Sequence, residues 1–245
     1  RHTRLQGDWS SDVCSSDLGS AGAILLACAA CITGDDRARM RALPRAEGGR
    51  DEFVMQKQHR ISFDHAARIA GAQIVEVGDE GGTALADVEA ALSDQTAAVL
   101  HMALDPQPTA ALREVAELAH ARGVPVIVDA AAELPPVSNL RAFLEEGADL
   151  VVFSGGKAIC GPNDSGILCG RSDLIEAATA QAFPNPGIGR ALKVSKEQIV
   201  GLVYALRRFA NTDFEAEATR WQERCQRMCD GLQGLACAQA EIAMA

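Results

Sequence analysis

The chain has 245 residues, of which 48% are hydrophobic, and its formal net charge is -10. This length and composition predict a soluble globular protein of one or two domains with an ample core. The negative charge disfavours a broad binding surface for nucleic-acid phosphates. The eight cysteines are irregularly spaced within apolar patterns, which indicates reduced core residues and therefore a cytoplasmic protein.

The first segment, residues 1–18, shows no apolar periodicity and contains a near repeat of Ser-Ser-Asp. These features predict disorder. The segment also resembles a translated sequencing adapter, so we interpret residues 1–18 as non-native.

A turn of small residues, Gly19-Ser20-Ala21-Gly22, leads into an apolar segment at 23–32, which predicts a helix. The N–H groups of a helix's first turn and the positive end of its dipole favour bound anions, so this turn is a candidate phosphate site. A close-packed helix N-terminus is the alternative. The apolar segment is too short to span a bilayer, and we expect no membrane partner.

Strand patterns and helical patterns alternate along the middle of the chain. The predicted strands are 53–56, 74–77, 97–102, 124–128 and 150–153, and the predicted helices are 63–70, 85–92, 110–122 and 140–146. Strands that alternate with helices form a mostly parallel sheet with helices on both faces. The sequence therefore predicts an α/β fold, a three-layer sandwich.

Two polar residues follow neighbouring strands of this predicted sheet. Asp129 comes directly after strand 124–128, and Lys157 follows strand 150–153 after a Gly-rich turn. A right-handed crossover brings both residues to the carboxyl edge of the sheet, where open α/β sheets bind ligands. A lysine there can form an imine with an aldehyde cofactor, and a buried carboxylate can keep a pyridine nitrogen protonated, which is the layout for pyridoxal 5′-phosphate. A turn lysine and a strand-ending aspartate without function are the alternative.

The segment around Lys157 reads FSGGKAICGPNDSGILCG over residues 153–170. It resembles the lysine segment of fold-type I pyridoxal phosphate enzymes, in the aminotransferase class V-like branch with bacterial selenocysteine synthase and D-glucosaminate-6-phosphate ammonia-lyase. The features that carry the resemblance are Phe153, Ser154, Gly155, Lys157, Gly161-Pro162, Ser165-Gly166-Ile167-Leu168 and Gly170. The sequence departs from these relatives at Cys160 and at Asn163-Asp164, so substrate specificity is more open than cofactor use.

The resemblance implies a phosphate anchor for the cofactor at two places in the chain. Gly19, Ser20 and Ala21 match the Ser/Gly/Ala-rich turn that family members place ahead of a helix. Ser154, three residues before Lys157, would be a further phosphate ligand by the same comparison.

The resemblance also implies that Lys157 holds the cofactor and removes a substrate α-proton, while Asp129 keeps the ring nitrogen protonated. His59 would stack on the cofactor ring, with an ordinary loop histidine as the alternative. His101 ends a predicted strand at the same edge and could reach the site. Arg190 lies in a loop that approaches the active site in family members, often from a neighbouring subunit. We expect it to bind a substrate carboxylate or phosphate, and a solvated loop arginine is the alternative.

Sequence motifs of other enzyme classes do not occur in the chain. It has no Walker P-loop, no Gly-x-Gly-x-x-Gly that opens a helix after a strand, no His-Glu-x-x-His and no Gly-x-Ser-x-Gly. Cys28-x-x-Cys31 lies inside a predicted helix without a second cysteine pair, so we predict no metal site.

The resemblance covers about residues 19–235 and predicts a pyridoxal phosphate-binding large domain at 19–209. Residues 210–245 would form a linking helix and the start of a truncated small domain, so we expect a fragment at both ends. The implied activity is α-proton abstraction and β-elimination on an amino acid or amino-sugar acid, of the ammonia-lyase type, in a homodimer or higher homo-oligomer. The acidic charge favours this activity over selenium or sulfur β-replacement on seryl-tRNA. A catalytically inactive truncated homologue is the other alternative.

Overall fold

The protein is described by a computed structural model that covers residues 11–16, 19–45, 48–103 and 108–233. The chain divides into two compact units, Arg1–Phe209 and Ala210–Ala245. The first unit contains a seven-stranded sheet with its helices. The second unit contains one long helix.

The strands are β1 (Ser11–Ser16), β2 (Glu52–Gln56), β3 (Gln73–Val77), β4 (Thr96–Met102), β5 (Val126–Asp129), β6 (Leu150–Ser154) and β7 (Gly166–Arg171). Their order across the sheet is β1-β7-β6-β5-β4-β2-β3. Strands β2 to β6 are parallel to one another, β7 is antiparallel to β6, and β1 is antiparallel to β7. The prediction of an α/β fold with a mostly parallel sheet is confirmed.

The helices are α1 (Gly19–Thr33), α2 (Arg37–Ala42), α3 (His65–Ile69), α4 (Leu85–Ala91), α5 (Leu112–Ala121), α6 (Asn139–Glu145), α7 (Ser172–Gln181), α8 (Lys196–Ala210) and α9 (Phe214–Leu232). Helices α3 and α7 pack beside α1 on one face of the sheet. Helices α4 and α5 pack together on the other face, where α6 places Phe143 6.4 Å from Phe153 of β6, measured between ring centroids. These two helical layers and the sheet form the three-layer sandwich.

Helix α1 lies at the centre of the larger core. Twelve of its fifteen residues are buried, because the helix is covered by the sheet, by α3 and by α7. A helix that is covered on all sides needs no polar stripe, which explains its uniformly apolar sequence. Burial raises the pKa of the Cys28 thiol well above its usual value, so Cys28 is a packing residue of this core.

Two strands at one side of the sheet were not predicted from the sequence. The prediction of disorder is wrong for Ser11–Ser16, which pair with β7 from Ser11 opposite Arg171 to Ser16 opposite Gly166. Strand pairing uses backbone groups, so a segment without apolar periodicity can join an exposed sheet edge. Residues 1–10 and 17–18 lie outside the described residues. Strand β7 has only a short apolar run between glycines, which gave no clear strand pattern.

The second unit contains α9, which begins after the N-cap Asp213, whose side chain accepts from the N–H groups of Glu215 and Ala216. Two large apolar side chains of α9 are exposed, Trp221 at 58% and Met228 at 68%. In the part of the chain that the structure describes, no helix has the length and apolar character needed to cross a membrane.

Candidate active site

Asp129 and Lys157 lie at the carboxyl edge of the sheet, at the ends of neighbouring strands. Asp129 is the last residue of β5, and Lys157 is exposed in the turn that follows β6. Asp129 is 5% exposed, and its Oδ1 accepts a hydrogen bond from the N–H of Ala131 at 3.0 Å. Burial raises the pKa of the Asp129 carboxyl, while the bond from Ala131 and the charge of Lys157 act in the opposite direction. The positive charge of Lys157 therefore acts on a buried carboxylate.

Backbone hydrogen bonds and close contacts hold the turn that carries Lys157. The N–H of Gly155 donates to the carbonyl of Ser165 at 2.8 Å, and the N–H of Cys160 donates to the carbonyl of Lys157 at 2.8 Å. A Cβ on Gly155 would lie 2.2 Å from Ser165 Oγ, and a Cβ on Gly156 would lie 2.6 Å from backbone of the following loop. Only glycine fits at these two positions, so the turn is closely packed around the lysine.

The start of α1 lies against the ends of β6 and β7. Gly19 has a φ of +61°, which a glycine adopts without strain. Its carbonyl oxygen would lie 2.3 Å from a Cβ on Gly166, and Gly166 is the register partner of Ser154. The structure therefore brings the first turn of α1 close to Ser154, as the predicted phosphate site requires.

The amide of Gly19 has a different role from the predicted one. Its N–H donates to the carbonyl of Asp164 at 3.0 Å, so it is not available to a phosphate. The N–H groups of Ser20 and Ala21 belong to the first helical turn, whose donors have no acceptor within the helix. Of the three predicted anchors in this turn, Ser20 and Ala21 are the ones that can donate.

Helix α8 supports the turn around Lys157 from outside. It begins with a capping box in which the N–H of Ser195 donates to Gln198 Oε1 at 2.7 Å and the N–H of Gln198 donates to Ser195 Oγ at 3.1 Å. The side-chain amide of Gln198 also donates to the carboxylate of Asp164. One turn later, Leu202 lies against Gly155.

Two histidines are buried beside the strand that neighbours Asp129. His59 is 2% exposed and His101 is 7% exposed, and their ring centroids lie 4.4 Å apart in an edge-to-face arrangement. Burial lowers the pKa of His59 to about 4 and that of His101 to about 3. The stacking of His59 on a cofactor ring stays a prediction.

The structure does not bring Arg190 to the other predicted site residues within the described part of this chain. The Arg190 guanidinium lies over the ring of Phe183 at 4.7 Å from its centroid. The preceding Gly189 lies against Leu26, which is midway along α1 and not at its first turn. The role of Arg190 in a neighbouring subunit's site stays a prediction.

A cleft of about 670 Å³ lies at the carboxyl end of β3, lined by the segment 78–87 and by Pro108. Its two carboxylates hold the surrounding loop: Asp79 Oδ1 accepts from the N–H of Gly81 at 2.7 Å, and Asp87 Oδ2 accepts from the N–H of Ala84 at 2.9 Å. This cleft was not predicted from the sequence. The glycine cluster after a predicted strand was the signal that could have indicated it.

The chain is similar to several proteins of known function. The family model described as SelA, L-seryl-tRNA selenium transferase, matches residues 63–222. The chain is 35% identical over 244 residues to a 5'-C-glycyluridine monooxygenase-decarboxylase from a Streptomyces species, a match that covers 95% of this chain and 59% of that protein. It is 39% identical over 197 residues to the D-glucosaminate-6-phosphate ammonia lyase of Salmonella typhimurium, covering 78% of this chain and 51% of that one.

A solved structure of D-glucosaminate-6-phosphate ammonia-lyase superposes on the chain with a TM-score of 0.82 and 32% identity. The superposition covers 96% of this chain and 62% of the solved one. The chain thus spans between about half and three fifths of the length of these relatives.

Proposed function

We propose that this chain, which belongs to the family described as SelA, L-seryl-tRNA selenium transferase, is a pyridoxal 5′-phosphate-dependent enzyme. Its activity in this proposal is α-proton abstraction and β-elimination on an amino acid or amino-sugar acid, of the ammonia-lyase type. The observation that carries the proposal is the pair of Lys157 and buried Asp129 at one edge of the sheet. The relative named as an ammonia lyase supports the reaction type.

The residues of the site fit the cofactor chemically. A buried carboxylate suits a protonated ring nitrogen, since the positive charge would offset the cost of burying Asp129 in its ionised form. The first turn of α1 offers the N–H groups of Ser20 and Ala21 to a phosphate, beside Ser154. Gly155, Gly156 and Gly166 leave no room for a side chain, so the turn around Lys157 and the start of α1 pack closely against neighbouring protein atoms.

The chain's own residues have distinct tasks in the proposed reaction. The cofactor, when bound, supplies a ring that accepts the electrons left by loss of the α-proton. Lys157 would hold the cofactor through its Nζ and would take the substrate α-proton on the same atom. Asp129 would keep a proton on the ring nitrogen, while the closely packed turn would hold Lys157 at the carboxyl edge of the sheet.

A second candidate is β-replacement with selenium or sulfur on seryl-tRNA, which the description of the matching family model favours. The net charge of -10 supports a small-molecule substrate instead, because tRNA binding needs positive charge near its phosphates. We further propose a cytoplasmic homodimer or higher homo-oligomer. In that assembly Arg190 would bind a substrate carboxylate or phosphate in the neighbouring subunit's site.

An absorption spectrum with pyridoxal phosphate tests the cofactor assignment. We expect a band near ~420 nm, and borohydride should then fix the group on the peptide that contains Lys157, as read by mass spectrometry. Lys157→Ala should lose both signals, and Lys193→Ala, a matched lysine variant whose ammonium lies over the Phe183 ring, should keep them. No band in the folded parent chain would refute the assignment and support an inactive homologue.

Product analysis of the loaded protein tests the reaction. Release of ammonia from an amino-sugar acid phosphate supports the lyase. Retarded migration of seryl-tRNA at moderate salt, without ammonia release, supports the transferase. A band on Lys157 with neither result would again support an inactive homologue.

A further inference from the structure

Three buried polar side chains, Gln56, His59 and His101, form a cluster beside the candidate site, here called the Gln56 cluster. Their exposed fractions are 1%, 2% and 7%. Gln56 is the last residue of β2, and His59 lies in the short 3-10 helix that follows it. His101 is the second-last residue of β4. Neither the proposed proton transfer nor the phosphate anchor uses these groups, so their burial needs another reason.

The hydrogen bonds of Gln56 fix the orientation of its side-chain amide. The N–H of Ala110 can only donate, and it donates at 2.8 Å to Gln56 Oε1. The other end of the amide is therefore Nε2, which donates to the carbonyl of Ala110 at 3.0 Å. Its second hydrogen faces His101 Nδ1 at 3.5 Å. Gln56 thus binds the backbone of Ala110 and contacts the imidazole of His101.

These bonds also fix the protonation of both imidazoles. His101 Nδ1 faces an amide nitrogen that only donates, so Nδ1 must accept and the ring proton lies on Nε2. His59 Nδ1 accepts from the backbone N–H of Met102 at 3.3 Å, which places the His59 proton on Nε2 as well. A charged imidazolium would direct an N–H at another donor in both places. The rings are therefore neutral.

We propose that Gln56 is a positioning residue that holds His101 as a neutral Nε2–H tautomer and so, together with the bond from Met102 to His59, fixes the carboxyl end of β4 beside Asp129. Met102 is the register partner of Asp129. The next residue, Ala103, donates its N–H to the Asp129 carbonyl at 3.0 Å. The link to Asp129 as a cofactor ligand rests on the proposed function, whereas the tautomers and the position of the β4 end do not.

The tautomers are measured directly in the cofactor-free parent chain. A long-range proton–nitrogen correlation spectrum at neutral pH, with ring signals assigned through single His→Gln variants, should show Nε2–H and a bare Nδ1 for both His59 and His101. A proton on Nδ1 of either ring would overturn the proposal. This measurement needs no variant of Gln56, and the His→Gln variants serve only to assign the ring signals.

Two substitutions of Gln56 separate its acceptor from its donors. Gln56→Glu keeps an acceptor for the Ala110 N–H but donates no hydrogen bond, so His101 should gain a proton on Nδ1 while exchange at Ala110 stays slow. Gln56→Leu removes both functions, and we expect amide hydrogen exchange at Ala110 and Ala103 to be roughly tenfold faster. Unchanged ring signals in Gln56→Glu, or unchanged exchange at Ala103 in Gln56→Leu, would overturn the proposal.

Gln181→Glu is the matched control, because Gln181 is 0% exposed and lies in α7, where its Nε2 donates to Thr33 Oγ1. It should lower stability and leave the ring signals of His59 and His101 in place. Equal changes in both variants would reduce Gln56 to a general packing residue. If the parent chain shows the expected rings but no band with pyridoxal phosphate, the proposed function fails and this inference stands. A pyridoxal phosphate band together with a proton on Nδ1 of either ring refutes this inference alone.

Discussion

At the scale of single residues, the carboxyl edge of the sheet collects ionisable groups whose charged forms are disfavoured. Burial raises the pKa of the Asp129 carboxyl and lowers the pKa values of His59 and His101. A cation beside Asp129 would stabilise its ionised form, and a protonated ring nitrogen would supply that positive charge. In the histidines the neutral form is itself the structural requirement, because each Nδ1 faces a donor.

Asp129→Asn separates the stability of the cofactor-free chain from cofactor binding. An amide keeps an acceptor for the Ala131 N–H but removes a buried charge, so we expect the free energy of unfolding to stay equal or rise by about 1 kcal/mol. The spectral band on Lys157 should shift or weaken, because the ring nitrogen loses its carboxylate. Urea titrations and absorption spectra of both chains test this. A large loss of stability would mean that the carboxylate stabilises the fold by itself.

The buried histidines predict a loss of stability in acid. Their folded pKa values, about 4 and about 3, lie below the usual 6.5, so the unfolded chain binds more protons as the pH falls below 6.5. Each histidine should lower the free energy of unfolding by about 1.4 kcal/mol per pH unit between pH 6 and pH 4. Above pH 6.5 neither histidine should change the free energy of unfolding.

Urea unfolding at several pH values, with His101→Gln beside the parent chain, tests this dependence. In His101→Gln the free energy of unfolding should change less steeply with pH than in the parent chain, by about 1.4 kcal/mol per pH unit. His65→Gln, which alters an exposed histidine, should leave the slope unchanged. Identical slopes in the parent and His101→Gln would contradict the assignment of a buried neutral ring.

At the scale of secondary-structure elements, helix ends and strand ends form the site through close backbone contacts. The first turn of α1 lies on Gly166 of β7, and α8 contacts the Lys157 turn through Leu202 and through the Gln198–Asp164 bond. The opposite edge of the sheet is held by Asp149. Its carboxylate accepts from the N–H of Val126, contacts His120 Nε2 at 2.8 Å and pairs with Arg171 at 2.8 Å.

Gly166→Ala tests the contact between α1 and β7. The added Cβ would lie 2.3 Å from the carbonyl oxygen of Gly19, so backbone must move. We expect a loss of about 1–3 kcal/mol in the free energy of unfolding and weaker binding of pyridoxal phosphate. Gly231→Ala is the control, because a Cβ there meets nothing within 4 Å. Equal stability and cofactor affinity in Gly166→Ala and the parent would show that α1 does not depend on this contact.

At the scale of the whole molecule, the chain covers only part of its relatives, and its described surface retains exposed apolar side chains. On α8, Val200 is 69% exposed and Tyr204 is 71% exposed, and they are neighbours one helical turn apart. Exposed apolar pairs of this kind mark interaction surfaces when they lie in larger patches. They are therefore a place to test the proposed homo-oligomer.

Sedimentation of the 25.8 kDa chain tests self-association. We expect a dimer or larger assembly, and the double variant Val200→Lys with Tyr204→Lys should raise the dissociation constant by roughly tenfold or more. Phe63→Lys, at another apolar side chain that is 65% exposed, should leave association unchanged. A monomeric parent chain would contradict the oligomer, and an unchanged double variant would exclude this face of α8.

The sequence by itself determined most of the elements and the edge of the sheet at which the candidate site lies. Short Val-rich runs, helical spacing and glycine stops are local patterns, and the right-handed crossover places Asp129 and Lys157 at one edge without further information. The resemblance around Lys157 predicted the family, which the matching family model confirmed. These features depend on neighbouring residues in the chain, so they can be predicted from order alone.

Only the tertiary structure decided which distant groups meet. The pairing of Ser11–Ser16 with β7, the engaged amide of Gly19 and the bonds of Gln56 to Ala110 each join segments far apart in sequence. Backbone and amide groups leave no periodic signal, because any residue supplies the same N–H and C=O. The burial that makes His59 and His101 neutral likewise arises from packing between strands. These contacts follow from the fold as a whole and not from any single stretch of sequence.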